Sequence, residues 1–554
     1  MLNNVLNNLS LKFQKLASNN DIRDISLISL IYTFCHGLSL FNTGIFWDDW
    51  LVALFNKTEI FFQFIQAGGP WQAYYLNLIF SLPYGITIAR FVVFLSFLIA
   101  TLALYGTLKS FKSINRDTIV ILCILFAIIP VNFARIAIIC NLYAICYGLF
   151  FLAWYVLTKY LETGKLYFQI FALLLFFVSF ITNTLLFFFL IPVVYIGYWF
   201  REDIHSIKSL IRVYARYIDF LILPLVFFGL KNIFWKPFGL YEGYTQLSLG
   251  KFLSIPTNFA VSLHSNGMYV LSKFYRFIFS PPESHILEYV FFCVFFVIIF
   301  YFIRKRNILT ADSVKNDLFL IFAGFCLILV GVFPYLAVSN MPNYPSWETR
   351  NQLLLPLGIS IVLFYMISLF SKKVSLSKRT VQIIFSLLIA GFIIINAGSY
   401  LDYQRDSFKQ ESLLMQFNDS GIMRNYSTFL FNDTTTKLDG GERTYRFHEY
   451  TSMMKYVFKN DTRFGVRLQE FQISAKNNVS YYKVYRSYNY KNYSFDNQQH
   501  YIIAIGQGDT SIDRTSTLSL MYEQYIMPKK FLIDIKNITS LSYEIYSPES
   551  GNMG

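Results

Sequence analysis

Residues 86–108 read ITIARFVVFLSFLIATLALYGTL, an apolar run whose only charge is Arg90, near its start. A helix needs about 20 apolar residues to cross a bilayer, so this run is long enough to span. Lys109, Lys112 and Arg116 follow at once. Basic clusters of this kind stay on the cytoplasmic side, which turns the Arg90 end of the helix outward.

The rest of the chain agrees with that start. Of its 554 residues, 55% are hydrophobic, 19% aromatic and only 14% charged, against about 25% charged in soluble domains. Further apolar runs lie near 24–44, 118–138, 141–158, 166–182, 184–200, 217–235, 287–303, 317–337, 352–370 and 380–399, giving about eleven candidate spans. With segment 1–23 in the cytoplasm, alternation places four more clusters inside: Lys159/Lys165, Arg201/Lys208/Arg212/Arg216, Arg304/Lys305/Arg306 and Lys372/Lys373/Lys378/Arg379. This obeys the positive-inside rule. A span over 253–272 would reverse the last clusters, and Pro256, Asn258, His264, Asn266 and Gly267 suit an outer loop with interfacial helices. The formal net charge of +14 resides mostly in these short clusters, so a nucleic-acid partner is not expected.

The transmembrane domain is thus expected over 24–399, with outer loops 45–85, 236–286 and 338–351. Beyond residue 400 the chain turns polar and rich in Tyr and Asn, as in YYKVYRSYNYKNYSF (481–495). A helix is expected over 406–417, and HYIIAIG (500–506) and KFLIDI (530–535) alternate as strands do. The expected fold class is a polytopic α-helical membrane protein with a C-terminal extracytoplasmic α+β domain over 400–554. The six cysteines all lie in or beside apolar segments and read as small core hydrophobes. The polar first 22 residues precede an apolar run too long for a signal-peptide core, so no cleavable leader is expected.

The first outer loop opens with FNTGIFWDDWLVALFNK (41–57). Trp47 and Trp50 suit an interfacial belt, and between them stand Asp48 and Asp49. Two adjacent carboxylates beside a low-dielectric boundary repel, which raises one pKa and suits a general base; equally, both can be solvated loop residues. Arg90, Arg135 and Arg350 each fall near an outer helix end. They are either lipid-phosphate anchors or cations lining a ligand path. His36 reads as a packed intramembrane histidine.

The order of these features resembles the GT-C class of integral-membrane glycosyltransferases, close to protein mannosyltransferases and aminoarabinose transferases. The acidic pair after the first helix matches Asp48 and Asp49. The aromatic stretch and the Arg opening the next helix match Pro70, Tyr74, Tyr75 and Arg90. CNLYAICYGLFFLAWYVLTKY (140–160) resembles the family's Tyr-Ala-Leu helix. In FITNTLLFFFLIP (180–192) Thr182 fits, and Asn183 stands where the family has a basic residue. In TRNQLLLPLG (349–358) Arg350 and Pro356 fit, and Asn351 replaces a Tyr. The likeness covers residues 24–200 and 345–370, and the second acid departs from the Glu of mannosyltransferases.

The resemblance implies an inverting sugar transfer from a polyprenyl-phosphate donor to a hydroxyl of a glycan, glycolipid or protein at the outer face of a bacterial plasma membrane. In that reading Asp48 is the base, and Asp49 orients the acceptor or helps hold a divalent cation such as Mg or Mn. No His or Cys cluster marks an obligatory metal. Arg90, Arg135 and Arg350 would bind the donor phosphate. Trp47, Trp50, Tyr74, Tyr75, Asn183 and Glu348 would shape the sugar pocket. A transporter or flippase for a lipid-linked glycan, and a membrane scaffold with a partner-binding C-terminal domain, are the rival classes.

Overall fold

The computed structural model describes residues 20–54, 56–243, 249–279, 286–308, 313–343, 347–476 and 500–546; the Tyr/Asn-rich stretch 481–495 lies outside them. Seven described helices are long and apolar enough to cross a membrane, or eight if the bent pair Ile207–Arg216 and Ile218–Phe234 counts as one span. The chain is therefore a polytopic helical membrane protein. The seven include α1 (Asn20–His36, extended to Phe41 by a 3₁₀ turn) and α3 (Gly85–Leu108), with the five-residue α2 (Asp49–Ala53) between them. The apolar helices Leu166–Ser179 and Thr184–Trp199 are shorter. Ile255–Phe279 is helical but is not among the seven.

One expected span takes a different form. The helix expected over 118–138 is α4 (Arg116–Ile128), started by Asn115, whose side chain accepts from the Thr118 amide at 2.8 Å. It stops just before Pro130, which cannot donate to a continuing helix and clashes with its preceding turn. The chain then runs irregularly to Cys140, through 3₁₀ turns at Ala134–Ile136 and Ile138–Cys140. Nearly all of α4 and the segment after it is buried, so irregular backbone lies within protein rather than against lipid.

The last long helix, α5 (Lys378–Asp419), has 42 residues and would measure about 63 Å. It joins the span expected at 380–399 to the helix expected at 406–417 as a single rod. Around its distal half sits a four-stranded sheet of β1 (Thr428–Asp433), β2 (Phe464–Arg467), β3 (Tyr501–Gln507) and β4 (Thr539–Ile545), in the order β2-β1-β3-β4. β1 is parallel to both β2 and β3, and only β4 is antiparallel. Helix α6 (Phe447–Phe458) connects β1 to β2. The expected α+β region is thus a mixed sheet with a parallel β-α-β unit.

KFLIDI is not a strand. It lies in α8 (Pro528–Lys536), which follows α7 (Arg514–Ile526). Pro528 at the first helical position favours the start. Phe531 and Ile535, four residues apart, are buried, while Leu532 and Ile533 are exposed. The helical period therefore sorts this segment where an alternating one would not.

Bundle and C-terminal region share one core around the start of the first loop: Phe46, Trp47, Phe133, Ile136, Cys140, Tyr400 and Tyr403 pack together. Gly44 is needed there, because an added Cβ would meet Ser407 Oγ of α5 at 2.7 Å. This junction is where the candidate site lies.

Candidate active site at the junction

The two adjacent acids occupy opposite environments. Asp49 is buried, with three backbone amides on its carboxylate: Phe46 N (3.2 Å) and Ile138 N (2.9 Å) donate to Oδ2, and Ile139 N (2.8 Å) donates to Oδ1. Burial pushes its pKa up to about 6, opposed by those amides and by the nearby Arg90. Asp49 ties the first loop to the irregular segment after α4. The divalent cation expected at Asp49 does not fit this carboxylate, whose oxygens already accept amides out of solvent contact. Among the described residues no group of three or more His, Cys, Asp or Glu is arranged to hold a metal.

Asp48 stays open, its side chain 40% exposed, with Oδ1 3.5 Å from Nε2 of His448 on α6. His448 is buried, and its Nε2 has no hydrogen-bond partner. Just before Asp48, Trp47 holds a left-handed backbone, with φ of +53°. For a bulky residue such a conformation costs on the order of 1–3 kcal/mol. Its ring is held by Trp347 at 5.1 Å and Tyr403 at 5.8 Å, and the Arg443 guanidinium lies 5.5 Å from its centroid. The strained turn directs residue 48 away from the buried face that residue 49 occupies.

Arg90 reaches under the same loop. Its Nη2 donates to Gly44 O at 2.7 Å and its Nε to Asn42 O at 3.3 Å, while Nη1 is buried without a partner. Arg135 Nη2 donates to the His36 imidazole, whose Nε2 in turn donates to Ala127 O at 2.9 Å. The Arg135 guanidinium also lies over Phe97 and Tyr400, and its Nε is buried without a partner. Both arginines line one cavity of about 10 Å³ with His36, Tyr32 and Tyr400, room for roughly one water. A phosphate group is larger than that space.

Arg350 is half-buried and lies 4.2 Å over Trp347, the ring that packs on Trp47. Its Nη1 has no hydrogen-bond partner. Thr349 Oγ1 accepts from Ala134 N at 3.0 Å, which joins this loop to the segment that holds Asp49. Arg350, Asp49 and Asp48 all lie within electrostatic reach of Cys140. The half-buried Glu348 is two residues from Arg350.

The remaining expected residues divide. Tyr75 accepts from Asn141 Nδ2 at 3.1 Å and is half-buried, whereas Tyr74 is 62% exposed and packs edge-on against Phe61. Trp50 lines no open pocket: it is buried in the C-terminal core with Leu413, Phe417, Tyr450 and Met453. Asn183 accepts from Lys231 Nζ at 2.6 Å, a contact that arrives from another helix.

Two groups had no signal in sequence. His448 lies 400 residues from Asp48, in a polar stretch without a motif. Arg443 belongs to a buried network: it bonds Asp406 (2.6 Å) and Glu449, while Lys409 bonds Asp433 (2.8 Å) and Asp439 (2.6 Å). This network locks the sheet region onto α5. Burial and the neighbouring acids push Asp439 up to about 8, against the pull of Lys409.

No protein-family model, curated protein or solved structure matches the chain.

Proposed function

We propose that the protein is a membrane glycosyltransferase of the GT-C kind. It moves a sugar from a polyprenyl-phosphate donor to a hydroxyl of a glycan, lipid or protein on the outer face of a bacterial plasma membrane. The observation that carries this reading is the division of the acidic pair. Asp49 is fixed by amides, Asp48 is left open, and the half-buried Arg350 lies over Trp347, the ring that packs against Trp47.

Asp48 takes the proton from the acceptor hydroxyl, whose oxygen attacks the anomeric carbon with inversion. The bond to the donor phosphate breaks, and its electron pair leaves on phosphate. Arg350 faces that growing charge, as guanidinium matches phosphate oxygens two at a time. Arg90 and Arg135 add positive potential from beneath the loop, and the size of their shared cavity leaves direct phosphate contact to Arg350. Trp347 and Tyr75, each half-buried, offer a flat face and a hydroxyl to a sugar ring, whereas Trp47, expected in that pocket, is buried and holds the loop instead. The basic clusters orient the chain with its N-terminus in the cytoplasm.

The test is release of free polyprenyl phosphate by purified protein in liposomes. A panel of polyprenyl-phosphate sugars would be supplied as donors, with host glycolipid extract as acceptor. Release coupled to a mass gain on an acceptor is expected from the native chain. Asp48→Asn should lower it by roughly 10²–10⁴-fold, the usual contribution of a general base. Equal release by both proteins would remove Asp48 from the chemistry.

A further inference from the structure

The C-terminal region does more than cover the bundle. His448 reaches the first loop from α6, with Nε2 3.5 Å from Asp48 Oδ1 and no other partner. That distance exceeds a formed hydrogen bond. Such contacts in ligand-free sites often tighten only when substrate binds.

The groups that face this imidazole are Asp48 from the loop, Glu449 and Arg446 beside it, and Arg443 from the buried network. Burial is the largest influence and lowers the histidine's pKa; Asp48 and Glu449 pull it up, and the two arginines press it down. The net direction is down, so the ring is neutral at neutral pH and carries one N–H. Nε2 points at a carboxylate, which makes that nitrogen the donor.

We propose that His448 is a positioning residue for the Asp48 base. Its Nε2–H holds Asp48 Oδ1, so that Oδ2 faces the acceptor hydroxyl. The proposal rests on the reading of Asp48 as the base. In the transfer step the acceptor proton passes to Asp48 Oδ2, the acceptor oxygen bonds the anomeric carbon, and the phosphate departs with the bonding pair. His448 keeps its proton throughout. The sheet region thereby supplies part of the site, and the strained Trp47 turn presents Asp48 to it.

Two measurements on the full chain in lipid nanodiscs test this. The first is a ¹⁵N-histidine NMR titration, with His448 assigned among the six histidines by its loss in His448→Gln. Removing a carboxylate that close should lower the imidazole pKa by about one unit in Asp48→Asn. An unchanged titration overturns the pairing, and this arm needs no substrate. The second is polyprenyl-phosphate release from a panel of undecaprenyl-phosphate hexoses and pentoses.

His448→Phe should lower kcat by roughly ten- to a hundredfold, the worth of a hydrogen bond to a charged group, with KM little changed. His448→Gln keeps a side-chain N–H and should recover most of the rate. If Asp48→Asn abolishes release and His448→Phe does not reduce it, the positioning role is wrong and the transferase reading stands. If Asp48→Asn releases as much as the native chain, the transferase reading fails and the role with it.

Discussion

Against the Trp47 ring the Arg443 guanidinium meets Asp406 and Glu449, with Lys409, Asp433 and Asp439 completing the network. Among the bundle helices Arg90 and Arg135 meet carbonyl oxygens, an imidazole and aromatic rings. Both clusters are buried, yet only the first pairs each cation with carboxylates. A buried charge with a good partner is a clamp; one without a partner carries a desolvation cost that local contacts offset only in part. The paired cluster accounts for how the sheet region is held to α5. The unpaired one leaves positive potential near Asp49 of the acidic pair, as the departure of phosphate in the proposed transfer would use.

The comparison breaks most readily at Arg443. Arg443→Met should orphan Asp406 and Glu449 and destabilise the chain by about 3–5 kcal/mol, read as a lower Tm in detergent. A loss below about 1 kcal/mol would mean that the network is no clamp. Arg350→Met should leave Tm nearly unchanged and raise the transfer barrier by about 2.7–4 kcal/mol, as loss of one charge-stabilising donor does. Single-turnover release of polyprenyl phosphate measures this, and a loss of stability instead would class Arg350 with Arg443. Arg135→Met orphans no carboxylate, so its Tm should hold within the equivalent of about 1 kcal/mol or rise.

The last effect concerns pH. Asp439 has a folded pKa of about 8, above its ordinary value of 3.8. The unfolded chain therefore releases this proton first, and the group's contribution to stability declines as pH rises from about 4 to about 8. Asp439→Asn should flatten that decline relative to the native chain in melts at pH 5, 6.5 and 8. Parallel curves would show that Asp439 ionises freely.

How far the sequence carried is clearest at particular segments. The runs at 86–108 and 287–303 became Gly85–Leu108 and Ile286–Ile303, because an unbroken apolar stretch has few ways to satisfy its backbone in lipid. Two readings failed where local pattern was ambiguous. KFLIDI suits either period until Pro528 and the packing of Phe531 against Phe408 select the helix. The run at 118–138 carried Pro130, whose effect is legible, but apolar content alone could not show that the chain beyond it folds inside the bundle. In the site, the carboxylate pair and the three arginines were visible as residue types. Their division into clamp, cavity and open acid was not.

Composition and apolar run length by themselves determined a helical membrane protein with a polar C-terminal region, since those properties follow from transfer energies summed over neighbours in the chain. Tertiary structure alone decided that Asp49 is buried on amides from Ile138 and Ile139, that Trp50 belongs to the distal core, and that His448 stands beside Asp48. The physical reason is separation: these contacts join residues about 90 to 400 positions apart, and their energies depend on distance and burial, which no local pattern encodes.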